Sequence, residues 1–453
     1  MIVMKFGGTS IQDATSIERV VDIIKARAHL GPVIVVSAMG KTTRALLDIA
    51  ERATRGERAT ARGRWEELKG YHVALMRALH VDEALPRVEG YFRDIEQLID
   101  GLAILRELTL RGRDRIASYG ELISSVIVTE ALKHGGLDAV WLDARQFMIT
   151  DEHHTRARPL MDITRARIVE HIRPCLQAGR IPVTQGYIGA TLHGVTTTLG
   201  FEGSDYSAAI IGAALEAEDI QIWTDVHGIM TADPAILPEA RTIRAISFLE
   251  AKELTHFGAK VLHPSTLFPA DEKAIPVHIY NSRHPDGPGT VIAATVPPTR
   301  SVVKSIAYKR PVTLLTVAAR HASSLPRFFK TAFEAVERAQ LHTYLAMTTE
   351  TRIMLVIDPS ESVEALTIDL EPEANVAMVS DQAIVCLVGE HLHQHGALLH
   401  QVVQAVGDLP VGAISYGVSE HSLVLILPAA NVGEAVKRLH DLLFRDVDPE
   451  MFY

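Results

Sequence analysis

Several widely separated stretches of this 453-residue chain carry the residue types that handle phosphate and small acids. The first runs from Met1 to Ser10, where Ile2, Val3 and Met4 read as a buried strand leading through Lys5 into Gly7-Gly8-Thr9-Ser10. Gly7 and Gly8 let the backbone approach an anion, and Thr9 or Ser10 is expected to cap the helix marked by Ile17, Val20, Val21 and Ile24. The N–H groups at that helix start and the Lys5 ammonium then face one point, a site for phosphate. A glycine turn that merely joins a strand to a helix is the competing reading.

The middle of the chain is denser in such residues. Thr184 to Gly189, Gly194 to Gly200 and Gly203-Ser-Asp-Tyr-Ser207 follow one another closely. Small residues allow amides to converge on a negative ligand, while Ser204 and Asp205 at a helix start can bond a substrate or position a lysine. A hairpin followed by a capped helix accounts for the same glycines. Trp223-Thr224-Asp225-Val226 ends a strand and enters His227 to Pro234, a loop able to embrace a purine and its phosphates. In Phe257 to Pro264, Gly258 can present Lys260 into a cleft. Glu121, in Tyr119-Gly-Glu-Leu-Ile-Ser124, is expected near a helix start, either holding an amino group or serving as a partner of the helix dipole.

These residues need a scaffold that gathers strand ends. From Met1 to about Val296, apolar strands alternate with amphipathic helices, the pattern of an α/β domain with a largely parallel sheet. The expected strands are Val33–Ser37, Ala139–Leu142, Ile181–Thr184, Ile220–Thr224 and Pro276–Tyr280. Ligands of such sheets sit beyond the carboxyl ends of the strands, where the motifs above fall. Leu46 to Leu110, rich in Arg and Glu, reads as a helical wall whose charges are solvated. After the Val296-Pro-Pro-Thr299 boundary an approximate βαββα pattern occurs twice, offering edges for a small ligand or a partner subunit.

Composition narrows the function classes. Apolar residues make up 47% and charged residues 22%, values of a folded globular chain, and a net charge of −10 argues against a nucleic-acid surface. Cys175 and Cys386 form no CxxC pair, which suits a reducing cytoplasm and supplies no zinc site. No apolar run is long enough to span a bilayer, and no signal-peptide pattern is present. His153-His154 and the alternating His391, His393 and His395 read as surface residues rather than metal ligands.

In combination, these motifs resemble those of the aspartokinase family, enzymes that phosphorylate the β-carboxylate of L-aspartate. The likeness covers nearly the whole chain. It rests on Lys5-Phe-Gly-Gly-Thr-Ser10, Ser37 with Thr43, Gly120-Glu121, Thr196 to Gly200, Gly203-Ser-Asp-Tyr206, Trp223-Thr-Asp-Val226 and Phe257 to Pro264. It implies an amino-acid-kinase fold over 1–298, a mostly parallel sheet between helices. Tandem α+β ACT units over 299–453 would follow, about 305–380 and 381–453 and possibly intertwined. The likeness is nearest to the single-function, lysine-sensitive type.

The resemblance also implies roles. Lys5 and Lys260 would contact ATP phosphates, with Gly7 and Gly8 supplying amides and Asp205 orienting the lysine. Thr43, Glu121 and Ser204 would hold L-aspartate, Glu121 on its amino group. Thr224, Asp225 and the Met230 loop would line the nucleoside, and Mg²⁺ would arrive on the nucleotide. The ACT region would bind an amino-acid effector and join subunits in a homodimer or larger homo-oligomer.

Departures bear on specificity. Phe201 stands where relatives usually carry an arginine that grips a substrate carboxylate, Met230 where a tyrosine is common, and Ala235 where an arginine is common. Loss of a charge-assisted hydrogen bond costs roughly 1.5–3 kcal/mol unless another arginine takes over. In the tail, Leu325-Pro-Arg-Phe328 lacks the glycine that often opens an effector helix, and Leu341-His-Thr-Tyr344 lacks the aspartate of a lysine pocket. Two other readings therefore stay open at the level of sequence: a kinase of the same fold acting on another amino or carboxylic acid, and a weakly catalytic binding protein that regulates a partner.

Overall fold

The computed structural model describes residues 1–200, 203–259, 264–297, 301–320, 325–445 and 448–453. Phe201 and Lys260 lie outside them. The chain divides into two compact units, Met1–Ile229 with Arg244–Phe248 and Val261–Val296, and Met230–Ile243 with Leu249–Lys260 and Pro297–Tyr453.

The first unit begins with β1 (Ile2–Phe6), α1 (Ala14–Arg27) and β2 (Pro32–Val36). Four helices follow: α2 (Thr42–Thr54), α3 (Arg58–Ala78), α4 (Leu85–Leu105) and α5 (Leu110–His134). Then come β3 (Ala139–Trp141), β4 (Ile149–Thr150), α6 (Met161–Gln177), β5 (Ile181–Gln185), β6 (Ile188–Thr191), β7 (Thr196–Thr198), α7 (Gly203–Leu215) and β8 (Asp219–Thr224). The remaining elements of this unit are β9 (Ala245–Ser247), α9 (Pro264–Glu272), β10 (Val277–Asn281) and β11 (Thr290–Ala293), while α8 (Phe248–His256) belongs from Leu249 on to the second unit.

Among the described residues, eight strands form one sheet in the order β3-β5-β2-β1-β8-β10-β11-β9. From β3 to β10 every neighbouring pair is parallel. β1 and β2 are buried at every position, which is why their sequences, Lys5 apart, are continuous apolar runs rather than alternating ones. The register sets Phe6 opposite Trp223 and Trp223 opposite Tyr280, and these rings stack across the strands at 6.0 and 4.8 Å. The Arg27 guanidinium covers the indole at 4.6 Å, adding a cation–π contact to this packing.

Two local expectations change. Neither Thr9 nor Ser10 caps α1, because Gly8–Ile11 forms a separate 3₁₀ turn and the Asp13 carboxylate accepts the Ser16 N–H at 2.8 Å as the true cap. The charges on α2 to α4 are not simply solvated. Arg58 and Arg62 reach Asp100, Lys69 reaches Glu96, and Arg52 reaches Asp48, so the wall is laced by ion pairs, each of small individual worth at such exposure.

The second unit is built on β12 (Val303–Ala319), α10 (Leu325–Arg338), β13 (Thr343–Thr348), β14 (Arg352–Ile357), α11 (Glu364–Leu370), β15 (Ala374–Gly389), α12 (Gly396–Val406), β16 (Ala413–Tyr416), β17 (Ser422–Pro428) and α13 (Val432–Leu443). Its sheet runs β13-β14-β12-β15-β17-β16. β12 and β15 are far longer than their apolar cores suggest and pair along almost their whole length, so each serves both βαββα repeats. A register shift between Lys309 and Val312 absorbs Pro311, which has no N–H to give the ladder. Leu315, Val317, Phe328, Ala335, Ile353, Leu355 and Leu366 form the core of the first repeat.

Candidate active site

The carboxyl end of β1 carries Lys5, whose neighbours in register are Val35 and Ile222. The chain then turns: Gly7 N–H donates to Trp223 O at 3.0 Å, and Gly40 N–H donates to Gly8 O at 2.9 Å. A Cβ on Gly8 would stand 2.6 Å from Ala38 O, so only glycine lets these two strand ends meet. A Cβ on Gly7 would stand 3.7 Å from Lys5 Nζ, an ordinary contact that places this turn directly beside the ammonium.

Lys5 forms an ion pair with Asp205, in the first turn of α7. Both side chains are nearly buried, 9% and 8% exposed. The approach of α7 is fixed by Gly186, where a Cβ would lie 2.6 Å from Ser204 Cβ and 2.9 Å from its Oγ. Tyr187 N–H donates to Ser207 Oγ at 3.0 Å, which accounts for the glycine and small-residue run after β5. The hairpin reading of that run also holds, since β6 and β7 pair antiparallel. Hairpin and helix start are parts of one construction.

Glu121 corrects the sequence reading. It lies in the interior of α5, a helix that begins at Leu110 with Thr109 as its cap, so it is no partner of a helix N-terminus. Gly120 is there because a Cβ would stand 2.8 Å from Ala38 Cβ and 3.2 Å from Thr43 Oγ1, and this tight contact sets Glu121 against the loop after β2. Ala38 N–H and Thr43 Oγ1 donate to Glu121 Oε1 at 3.2 and 3.4 Å. Its Oε2 is buried and without a hydrogen-bond partner among the described residues. Desolvation raises this carboxyl to about 8 despite those donors. A carboxylate so placed is disposed to receive a cationic group of a ligand.

Thr224 ends β8 and Asp225 follows it, next to the Gly7 turn. Thr224 O accepts from the Ser282 N–H and Oγ at 2.8 and 3.0 Å, and Ser282 Oγ meets Ser10 Oγ at 2.7 Å. This serine link across three strand ends escaped the sequence reading, because lone serines after strands carry no distinctive spacing. So did Asp114, a buried carboxylate on α5 that binds Thr198 of β7.

Lys5, Gly7, Gly8, Thr43, Glu121, Ser204, Asp205, Thr224 and Asp225 thus belong to one end of one unit. Met230–Ile243 belongs to the second unit, where Met230 O accepts from Ser305 Oγ at 2.7 Å and Asp233 accepts from Tyr308 OH at 2.9 Å. Gly258 has φ +111° and would place a Cβ 2.3 Å from Tyr308 O, so its glycine is explained by backbone contact within that unit. No helix of the described residues is long and apolar enough to cross a membrane.

A model of the amino acid kinase family matches residues 1–281. Aspartokinase 1, chloroplastic, of Arabidopsis thaliana is 34% identical over 98% of this chain and 80% of its own length. Lysine-sensitive aspartokinase 3 of Escherichia coli (strain K12) is 31% identical over 98% of this chain and 99% of its own. The crystal structure of E. coli aspartokinase III in complex with aspartate and ADP (R-state) aligns with TM-score 0.87 at 31% identity, covering 98% of this chain and 100% of that one.

Proposed function

Because the chain belongs to the aspartokinase family, we infer that it is an ATP-dependent kinase that phosphorylates the β-carboxylate of L-aspartate to give 4-phospho-L-aspartate. One observation carries the assignment to these residues: the Lys5 cation and the half-satisfied, buried Glu121 stand at one sheet end, complementary to a phosphate and to an ammonium. A carboxylate oxygen of aspartate attacks the γ-phosphorus, the bond to the β,γ-bridging oxygen breaks, and ADP leaves. The attacking group is already ionised at neutral pH, so positioning and charge neutralisation suffice and no general base is needed.

Lys5, held by Asp205, is assigned to the transferring phosphoryl group, with the Gly7-Gly8 turn beside it. Glu121 Oε2 is assigned to the substrate ammonium, with Thr43 and Ser204 completing that pocket, and Thr224 and Asp225 to the nucleoside side. Lys260, Met230 and Phe201 keep their expected roles as proposals from the resemblance. Mg²⁺ is taken to ride on the nucleotide, where it neutralises phosphate charge. We assign catalysis to 1–298 and regulation by an amino acid, with subunit pairing, to 299–453.

Trapping the acyl phosphate as its hydroxamate tests the reaction. Aspartate plus ATP should yield the hydroxamate at a rate well above that with glutamate. Preference for another acid would favour the same-fold alternative. ATP left intact with every acid, while an amino acid still raises the melting temperature, would favour the binding-protein reading.

A further inference from the structure

The loop after β4 bears on the carboxylate contact that Phe201 leaves open. Asp114 is almost wholly buried, and its carboxylate accepts from Thr198 Oγ1 at 2.6 Å, from Thr155 N–H at 3.0 and 3.1 Å, and faces His154 Nδ1 at 2.6 Å. Thr155 is held at φ +70°, the left-handed region that a β-branched residue seldom enters. Ala157 N–H donates to Thr198 O at 2.9 Å, clipping the loop to β7. Between those anchors stands Arg156.

Arg156 flanks the segment that leads into α7. A Cβ on Gly200 would lie 3.3 Å from Thr155 O and 3.7 Å from Arg156 Cγ. Gly200 O in turn accepts the N–H of Gly203, the residue before Ser204, at 3.1 Å. The stem of Arg156 therefore packs beside Gly200, whose carbonyl is bonded to the residue before Ser204 and Asp205. Its side chain is exposed, and among the described residues its guanidinium has no ion pair or hydrogen bond. An arginine costs side-chain entropy to order, yet here the backbone beneath it is already fixed.

We propose that Arg156 binds the α-carboxylate of the substrate, taking the part of the arginine replaced by Phe201. This rests on the reading that aspartate is the acceptor: its β-carboxylate reacts, its ammonium is matched by Glu121, and its α-carboxylate still needs a cation.

Steady-state kinetics of the full chain, with Arg156→Met, Arg156→Lys and the neighbouring Arg158→Met, test the proposal, each compared on L-aspartate and on its α-amide. Arg156→Met should raise the aspartate KM about 10- to 150-fold, the equivalent of ~1.5–3 kcal/mol. The KM for ATP should stay within about twofold, and the preference for aspartate over the α-amide should collapse by a similar factor. Arg156→Lys should fall between, since an ammonium cannot make the bidentate contact. Arg158→Met should match the unaltered chain. An aspartate KM unchanged in Arg156→Met, or one that rises while the acid-to-amide preference survives, overturns the proposal. Inertness of the unaltered chain toward aspartate would instead break the functional reading beneath it.

Discussion

Each unit of this molecule buries a lysine against a carboxylate, and the two pairs differ in what surrounds them. In the second unit Lys304 of β12 meets Glu250 of α8 at 2.8 Å, with the side chains 1% and 0% exposed. In the first unit Lys5 meets Asp205 where a strand ends in two glycines, and both keep a small exposed face. The sealed pair presents almost no surface to solvent and ties α8 to β12. The pair at the strand end is bounded by backbone turns that need glycine, and an incoming phosphate can share the ammonium. Burial alone therefore does not distinguish the two lysines; the glycine turn beside Lys5 does.

Substitution of the two lysines should separate these roles. Lys5→Met is expected to lower kcat by at least about 100-fold through loss of charge stabilisation on the transferring phosphoryl group. Strand protection in the first unit, followed by hydrogen exchange, should change little; substantial retained turnover would place the phosphate elsewhere. Lys304→Met should do the reverse in kind, destabilising the second unit by about 3 kcal/mol because a buried carboxylate loses its cation. Hydrogen exchange in β12 and β15 reads this directly, and unaltered protection there would show that the pair contributes no stability.

A subtler contrast concerns Glu121, whose charge is unmatched where those of the lysine pairs are matched. Burial pushes its carboxyl up to about 8, above the ordinary 4.5. The folded state thus holds a proton that the unfolded chain releases earlier, so this group makes stability fall as pH rises from about 4.5 to about 8. Binding of an ammonium needs the carboxylate and must expel that proton. The KM for aspartate should therefore fall about tenfold per unit between roughly pH 6 and pH 8, then level off. Glu121→Gln should weaken aspartate binding and flatten that profile. A profile of unchanged slope in the variant would remove Glu121 from the ammonium site.

Much of the catalytic scaffold was legible from residue order. The strands at Val33 and Ile181 were readable because a parallel sheet covered on both faces favours apolar side chains at consecutive positions, whereas those at Ile220 and Val277 carry Gln221 and His278 between their apolar residues. Gly7-Gly8 and Ser204-Asp205 were readable because turns and helix starts need those types locally. Glu121 was found but misplaced, since Gly120 looks like a helix boundary until its contact with Ala38 and Thr43 is known. Asp13 was overlooked as a cap because Thr9 and Ser10 are equally good capping types and only the intervening 3₁₀ turn decides between them. The full extent of β12 and β15 was hidden by polar positions that the long β12–β15 ladder holds in place.

By itself, the order of amino acids determined the local chemistry: which turns could admit an anion, which helix could offer Ser204 and Asp205, and which strands would lie inside a sheet. Only tertiary structure decided that Lys5 meets Asp205 across about two hundred residues, that Glu121 keeps one oxygen bare, and that Asp114 locks the loop carrying Arg156. The reason is physical. Capping, turn and strand preferences act over a few residues of chain, whereas ion pairing and desolvation depend on distance and dielectric surroundings that exist only once remote segments have packed together.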